Sequence, residues 1–129
     1  MKNDDIMQYE MRKKRIVVIK KKETARIPQS EILFIEQRER KIVIVTEKET
    51  FTYYGKMKDC WPVLSGSFHR CHTYLAVNLD NVRRIADGAI SFFGSKEIVF
   101  LGRAAYSKTK KGFNTYLKKT HAEEIPCKC

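Results

Sequence analysis

Residues 67–78 read SFHRCHTYLAVN, which sets His69, Arg70, Cys71 and His72 side by side ahead of an apolar, strand-like run. Three chemistries could use such a cluster: metal binding, thiol catalysis, or contact with an acidic partner. A zinc centre needs paired ligands separated by loops of suitable length. Here a His-x-Cys-His run stands far from a second pair, Cys127 and Cys129, a spacing that matches no common zinc pattern. Neither a metal nor a cofactor is expected.

A nucleophilic Cys71 would need a base within reach. On an extended chain alternate residues share a face, so Arg70 and His72 lie together while Cys71 points the other way. No other stretch offers a catalytic carboxylate pair or a phosphate-binding glycine loop, so the chain is not expected to be an enzyme. Contact with an acidic partner is left, with Arg70 and both histidines facing outward and Cys71 a core or hairpin residue. Because Cys71 falls in that contact segment, its oxidation would disturb binding, but the sequence offers it no well-placed thiol partner.

The charge balance agrees. The 129 residues carry 26 Lys and Arg against 15 Asp and Glu, a net charge of +11, which favours a polyanionic partner. Residues 98–122 hold Arg103, Lys108, Lys110, Lys111, Lys118 and Lys119 and no acid. A solvated lysine-rich face is the plain alternative. No stretch approaches the roughly 18 to 20 apolar residues that span a bilayer, and the start, MKNDDIMQYE, lacks the apolar centre of a secretory signal. A cytoplasmic location follows, with Cys60, Cys71, Cys127 and Cys129 as reduced thiols.

A chain of this length forms one domain and buries about two thirds of its unfolded surface. Residues 1–14 are polar and unpatterned and read as a flexible leader; the domain spans 15–120, and 121–129 is a frayed tail. RIVVIK, EILFIE, KIVIVT, TFTYYG, TYLAVN, NVRRI, AISFF and EIVFL are eight short β-type runs. EQRER, residues 36–40, makes a charged hairpin tip. Asp87-Gly88 and Gly94-Ser95 stand where tight turns are needed, the second as a two-residue type II′ loop. GKMKDCWPVL spaces Met57, Trp61 and Leu64 as on a helix that Pro62 interrupts. From Arg103, the residues Tyr106, Phe113, Tyr116 and Leu117 share one side of a helical wheel with lysines over the rest, so an amphipathic helix is expected, broken or begun awkwardly at Gly112. The fold class is mainly β: short antiparallel strands, one short interrupted helix and a C-terminal amphipathic helix.

Phe68, Arg70, His72, Tyr74, Val77 and Asn78, followed by LDNVRRI, resemble the signature segment of the LytTR family, DNA-binding domains found at the output end of bacterial response regulators and in some stand-alone regulators. IPQSEILFIEQRERKIVIVT resembles the family's opening strands, FTYYGKMKDCWPVL its short helix, and GRAAYSKTKKGF its closing loop and helix. The resemblance covers about residues 15–118. The chain departs from the family pattern at Tyr74 and Gly102, both positions where serine is usual.

The resemblance implies an elongated antiparallel β domain that sets loops from separate segments into successive grooves of duplex DNA. Position by position, the contacts fall on Arg40 and Lys41 after the second strand, on His72 and Thr73 in the signature, and on Arg103 in the closing loop, with Arg70, Asn78 and Lys108 in supporting roles. The chemistry fits: Arg forks onto guanine or phosphate, His and Thr act at short range, and Lys neutralises phosphate. Each also has a plain structural alternative: Arg40 as a solvated tip, His72 as a partner for backbone groups, Arg103 as a helix start. With no room for a receiver ahead of Arg15, the chain is expected to be either a stand-alone transcriptional regulator or an excised output domain, and the Met1 start favours the first. Its control then comes from a protein partner, from expression level, or from dimerisation on paired or directly repeated half-sites. A small basic β module binding RNA or another polyanion is the rival reading, and a membrane-surface or acidic-protein binder using the last helix alone is a third.

Overall fold

The computed structural model describes residues 15–120. The leader 1–14 and the tail 121–129, with Cys127 and Cys129, lie outside the described residues. Ten strands are present among those described: β1 (Arg15–Ile19), β2 (Thr24–Pro28), β3 (Ile32–Arg38), β4 (Lys41–Thr46), β5 (Thr50–Tyr54), β6 (Phe68–His72), β7 (Leu75–Asn78), β8 (Val82–Ala86), β9 (Ala89–Phe92) and β10 (Ile98–Phe100). Two α-helices join them, α1 (Met57–Cys60) and α2 (Arg103–Thr120).

The strands build three antiparallel sheets: a β1-β2 ribbon, a central sheet in the order β5-β4-β3-β7-β6, and a small sheet in the order β10-β9-β8. The central strands β3 and β4 each carry four or five consecutive buried residues, Ile32–Ile35 and Ile42–Thr46. Such uninterrupted apolar runs suit strands covered on both faces. One face packs Ile35, Ile42 and Ile44 against Ile16, Val18 and Ile27 of the ribbon and Met57, Cys60 and Val63 of the interrupted helix. The other packs Phe34, Val43 and Val45 against Val82, Ile90, Phe92 and Val99 of the small sheet and against Phe113 and Tyr116 of α2. Phe34 and Phe92 stack with ring centroids 5.7 Å apart, and burial of each ring contributes about 2 to 3 kcal/mol.

The mainly antiparallel β class holds, and several local expectations need correction. The eight runs omitted β2 and β6, whose residues are half polar because only one side of each strand is buried. The tip of the β3-β4 hairpin is only Glu39-Arg40, since Arg38 already pairs with Lys41; Glu39 takes a φ of 58° there. Asp87 and Gly88 do form a tight turn, with φ of 54° and 80° and Ala86 paired to Ala89, as in a type I′ hairpin. Gly94-Ser95 does not: Ser91 pairs with Ile98, so residues 92–97 intervene and the loop is far wider than two residues.

The interrupted helix is as expected, α1 passing into a 3-10 turn over Trp61–Val63. The C-terminal helix differs, because α2 continues unbroken through Gly112. That glycine meets a tertiary demand: a Cβ there would stand 2.7 Å from Cε1 and 3.0 Å from Nδ1 of His69 on β6. Close approach to the ring outweighs the weak helix propensity of glycine.

Candidate nucleic-acid interface

The β3-β4 and β6-β7 turns lie at the same end of the central sheet. Glu36 pairs with Leu75, and the amide of Gln37 donates to the carbonyl of Tyr74 at 2.9 Å, so Glu39-Arg40 and Thr73-Tyr74 are neighbours. The start of α1 joins them. Gly55 donates its amide to the Arg40 carbonyl at 3.0 Å, and Gln37 Oε1 accepts the Met57 amide at 2.8 Å.

Helix α2 runs against β6 in the opposite sense. Gly112 faces His69, Lys108 and Thr109 lie beside Cys71, and Tyr116 donates to Asp80 just past the end of β7. With rises of about 1.5 Å per helical and 3.3 Å per strand residue, the same progression brings the first turn of α2, and Arg103 with it, level with Thr73. Arg40, Lys41 and Thr73, expected from separate loops, therefore lie at one end, and the course of α2 directs Arg103 toward it. All four are exposed. At the opposite end the β4-β5 turn presents Glu47 and Glu49 around an open cleft with Lys48 and Lys96, while Glu97, also on that cleft, is close enough for its charge to act on Arg38 beside the β3-β4 turn.

Lys41 extends its ammonium over Tyr54, 5.5 Å from the ring centroid, and Tyr54 itself is 75% exposed. The Nδ1 of His72 accepts the Tyr74 amide at 3.2 Å. That bond satisfies a backbone group and leaves the Nε2 edge of this exposed ring for an outside partner. Arg103 both opens α2 and stays exposed.

The supporting residues divide. Arg70 is exposed and stacks over Trp61, 5.2 Å from the ring centroid. Asn78 is 1% exposed and turned inward: its amide donates to the carbonyls of Gln29 at 3.1 Å and Ile32 at 3.0 Å, and its oxygen accepts the Asp80 amide at 3.2 Å. Lys108 sits on the exposed side of α2, close enough for its charge to act on His69 and Cys71.

His69 is a correction. It does not look outward; its ring is wedged between β6 and Gly112, and its Nε2 is buried without a hydrogen bond among the described residues. Burial, and then the Lys108 charge, hold its pKa below the ordinary imidazole value. Buried Thr109 lies alongside, its hydroxyl near the Cys71 thiol but outside hydrogen-bond geometry. Burial pushes the Cys71 thiol up, against smaller opposing effects of Thr109 and Lys108, which leaves it a poor nucleophile at neutral pH. Among the described residues no three His, Cys, Asp or Glu side chains group as metal ligands.

Sequence reasoning passed over Lys56, Lys58 and Trp61. They line a recess of 390 Å³ with Arg70, Thr73 and Tyr74, next to the two turns. Trp61 was legible only as part of a buried helix face, and the lysines flanking Met57 were the one available signal.

The LytTr DNA-binding domain model matches residues 22–114. Among solved structures, the LytTr DNA-binding domain of a methyl-accepting/DNA response regulator from Bacillus cereus superposes with a TM-score of 0.63 at 20% identity, over 76% of this chain and 94% of that one. A comparison with curated proteins gives no match. No helix among the described residues is long and apolar enough to cross a membrane. With the family match spanning most of the chain and the fold shared, this chain belongs to the LytTR family of DNA-binding domains.

Proposed function

We propose that this chain is a cytoplasmic, sequence-specific transcriptional regulator that reads duplex DNA through three loops of a β scaffold, by binding and not by catalysis. What supports the reading is the gathering of Arg40, Lys41, His72 and Thr73 from two separate turns on one exposed end, toward which the first turn of α2 directs Arg103. In this reading the arginines and His72 reach base edges and Lys41 answers phosphate. Two copies bound to paired or directly repeated half-sites would lengthen the sequence read, and a regulatory protein partner would supply control.

A single-stranded nucleic-acid binder is the second reading, favoured by Phe93, in the turn just past β9, and Phe100 on β10, 58% and 76% exposed, since stacking platforms use such rings. The test is competition of duplex DNA, single-stranded RNA and anionic vesicles for a labelled duplex over a range of salt. Duplex DNA is expected to win, with an affinity that falls steeply with salt. RNA competing as well as duplex at every salt concentration would overturn the regulator reading in favour of the generic basic module.

A further inference from the structure

The recess between α1 and the β6-β7 turn has walls of mixed character. Lys56, Lys58 and Arg70 supply three cations, Trp61 and Tyr74 supply apolar surface, and none of the described residues lining it is acidic. Lys56, Lys58 and Tyr74 are exposed, and the guanidinium carbon of Arg70 stands 5.2 Å from the Trp61 ring centroid, a contact that restrains where its charge sits. Such a lining selects an anion attached to a less polar body, which describes the phosphate and sugar of a nucleic-acid strand.

The location decides the source. The recess shares Thr73 and Tyr74 with one reading turn and is tied to the other through Gln37, which lines it and bonds to Met57 and to Tyr74. A duplex that admits these turns to its groove brings the flanking backbone past the recess. We propose that this recess is a backbone seat for duplex DNA, in which Lys56, Lys58 and Arg70 hold phosphates flanking the groove that the turns enter. The inference rests on the DNA-reading proposal above.

Each neutralised phosphate contributes about 0.9 to the slope of log affinity against log salt. Lys56→Ala/Lys58→Ala is therefore expected to reduce that slope by about 1.8 and to weaken a selected and a scrambled duplex alike. Both lysines are exposed, so thermal unfolding followed by circular dichroism should match that of the wild type. Trp61, the only tryptophan in the chain, gives an independent signal: its emission should change on adding duplex DNA and stay constant in 10 mM-range inorganic phosphate.

An unchanged salt slope together with silent Trp61 emission, while the wild type binds duplex normally, would overturn the seat and leave the regulator reading intact. Emission that responds to inorganic phosphate but not to DNA would also overturn it, by making the recess a small-anion site. Failure of the wild type to bind any duplex would remove both proposals.

Discussion

The imidazole of His69 on β6 fills the space that a side chain at Gly112 of α2 would need, 2.7 Å from the would-be Cβ at its nearest atom. Helix and sheet meet there with no slack. Gly112→Ala improves helix propensity by about 1 kcal/mol, but the ring must move or the helix must lift, and overpacking of this kind costs about 1 to 3 kcal/mol. A net loss of about 1 kcal/mol in urea unfolding is expected. The double variant His69→Ala/Gly112→Ala should reverse the sign, with Gly112→Ala stabilising once the ring is gone. A Gly112→Ala change that stabilises with His69 in place would show that α2 is not pinned by this contact.

The same ring makes stability depend on pH. His69 has its pKa lowered by burial and then by the charge of Lys108. The folded state therefore binds the proton less readily than the unfolded chain, whose imidazole titrates near 6.5. Stability from this group is fully present above about pH 6.5 and is lost as the pH falls from there toward the lowered folded value. His69→Gln should flatten that part of the stability profile, and Lys108→Gln should raise the His69 pKa measured by NMR. A profile that His69→Gln leaves unaltered would assign the effect elsewhere.

Asn78 joins the connection between β2 and β3 to the end of β7 through two buried hydrogen bonds, and accepts the Asp80 amide locally, beside the Gln29 side chain, which itself bridges Val63 and Ser65. Asn78→Ala removes these bonds while each carbonyl keeps a second donor, the Ile32 amide at Gln29 and the Asn81 side chain at Ile32, so the cost is about 0.5 to 1.5 kcal/mol per bond lost. Asn78→Asp, although isosteric, removes the same donor and buries a charge, so it should cost at least as much. Denaturant midpoints are expected to fall in both variants, with DNA affinity of the remaining folded protein unchanged. Loss of affinity without loss of stability would give Asn78 a direct contact instead.

What the sequence made legible follows from where each instruction is stored. The apolar runs of β3 and β4 announce themselves because both faces are buried, and Asp87-Gly88 because its turn needs positive φ at two adjacent residues. The polar strand FHRCH does not announce itself, since its buried side is a histidine and a cysteine packed beneath α2. Gly112 misleads for the same reason: local propensity reads it as a break, while its partner stands 43 positions earlier in the chain. The width of the Gly94 loop is set by the β9-β10 register, and the recess by three segments meeting, and neither is written in any one stretch.

Arg40 and Arg103 carry the sharpest test of the reading end. They reach it from different segments, one on a two-residue turn and one on the first residue of a long helix. An arginine that forks onto a base contributes about 1 to 3 kcal/mol of discrimination, whereas one that meets phosphate weakens all sequences alike. Arg40→Ala and Arg103→Ala should each remove that amount from binding to a selected site and much less from a scrambled one. Lys118→Ala, a helix residue far from the converging turns, should act weakly and equally on both. If the two arginine variants lose the same affinity on both DNAs, they supply charge only, and readout through three loops fails even though the domain still binds DNA.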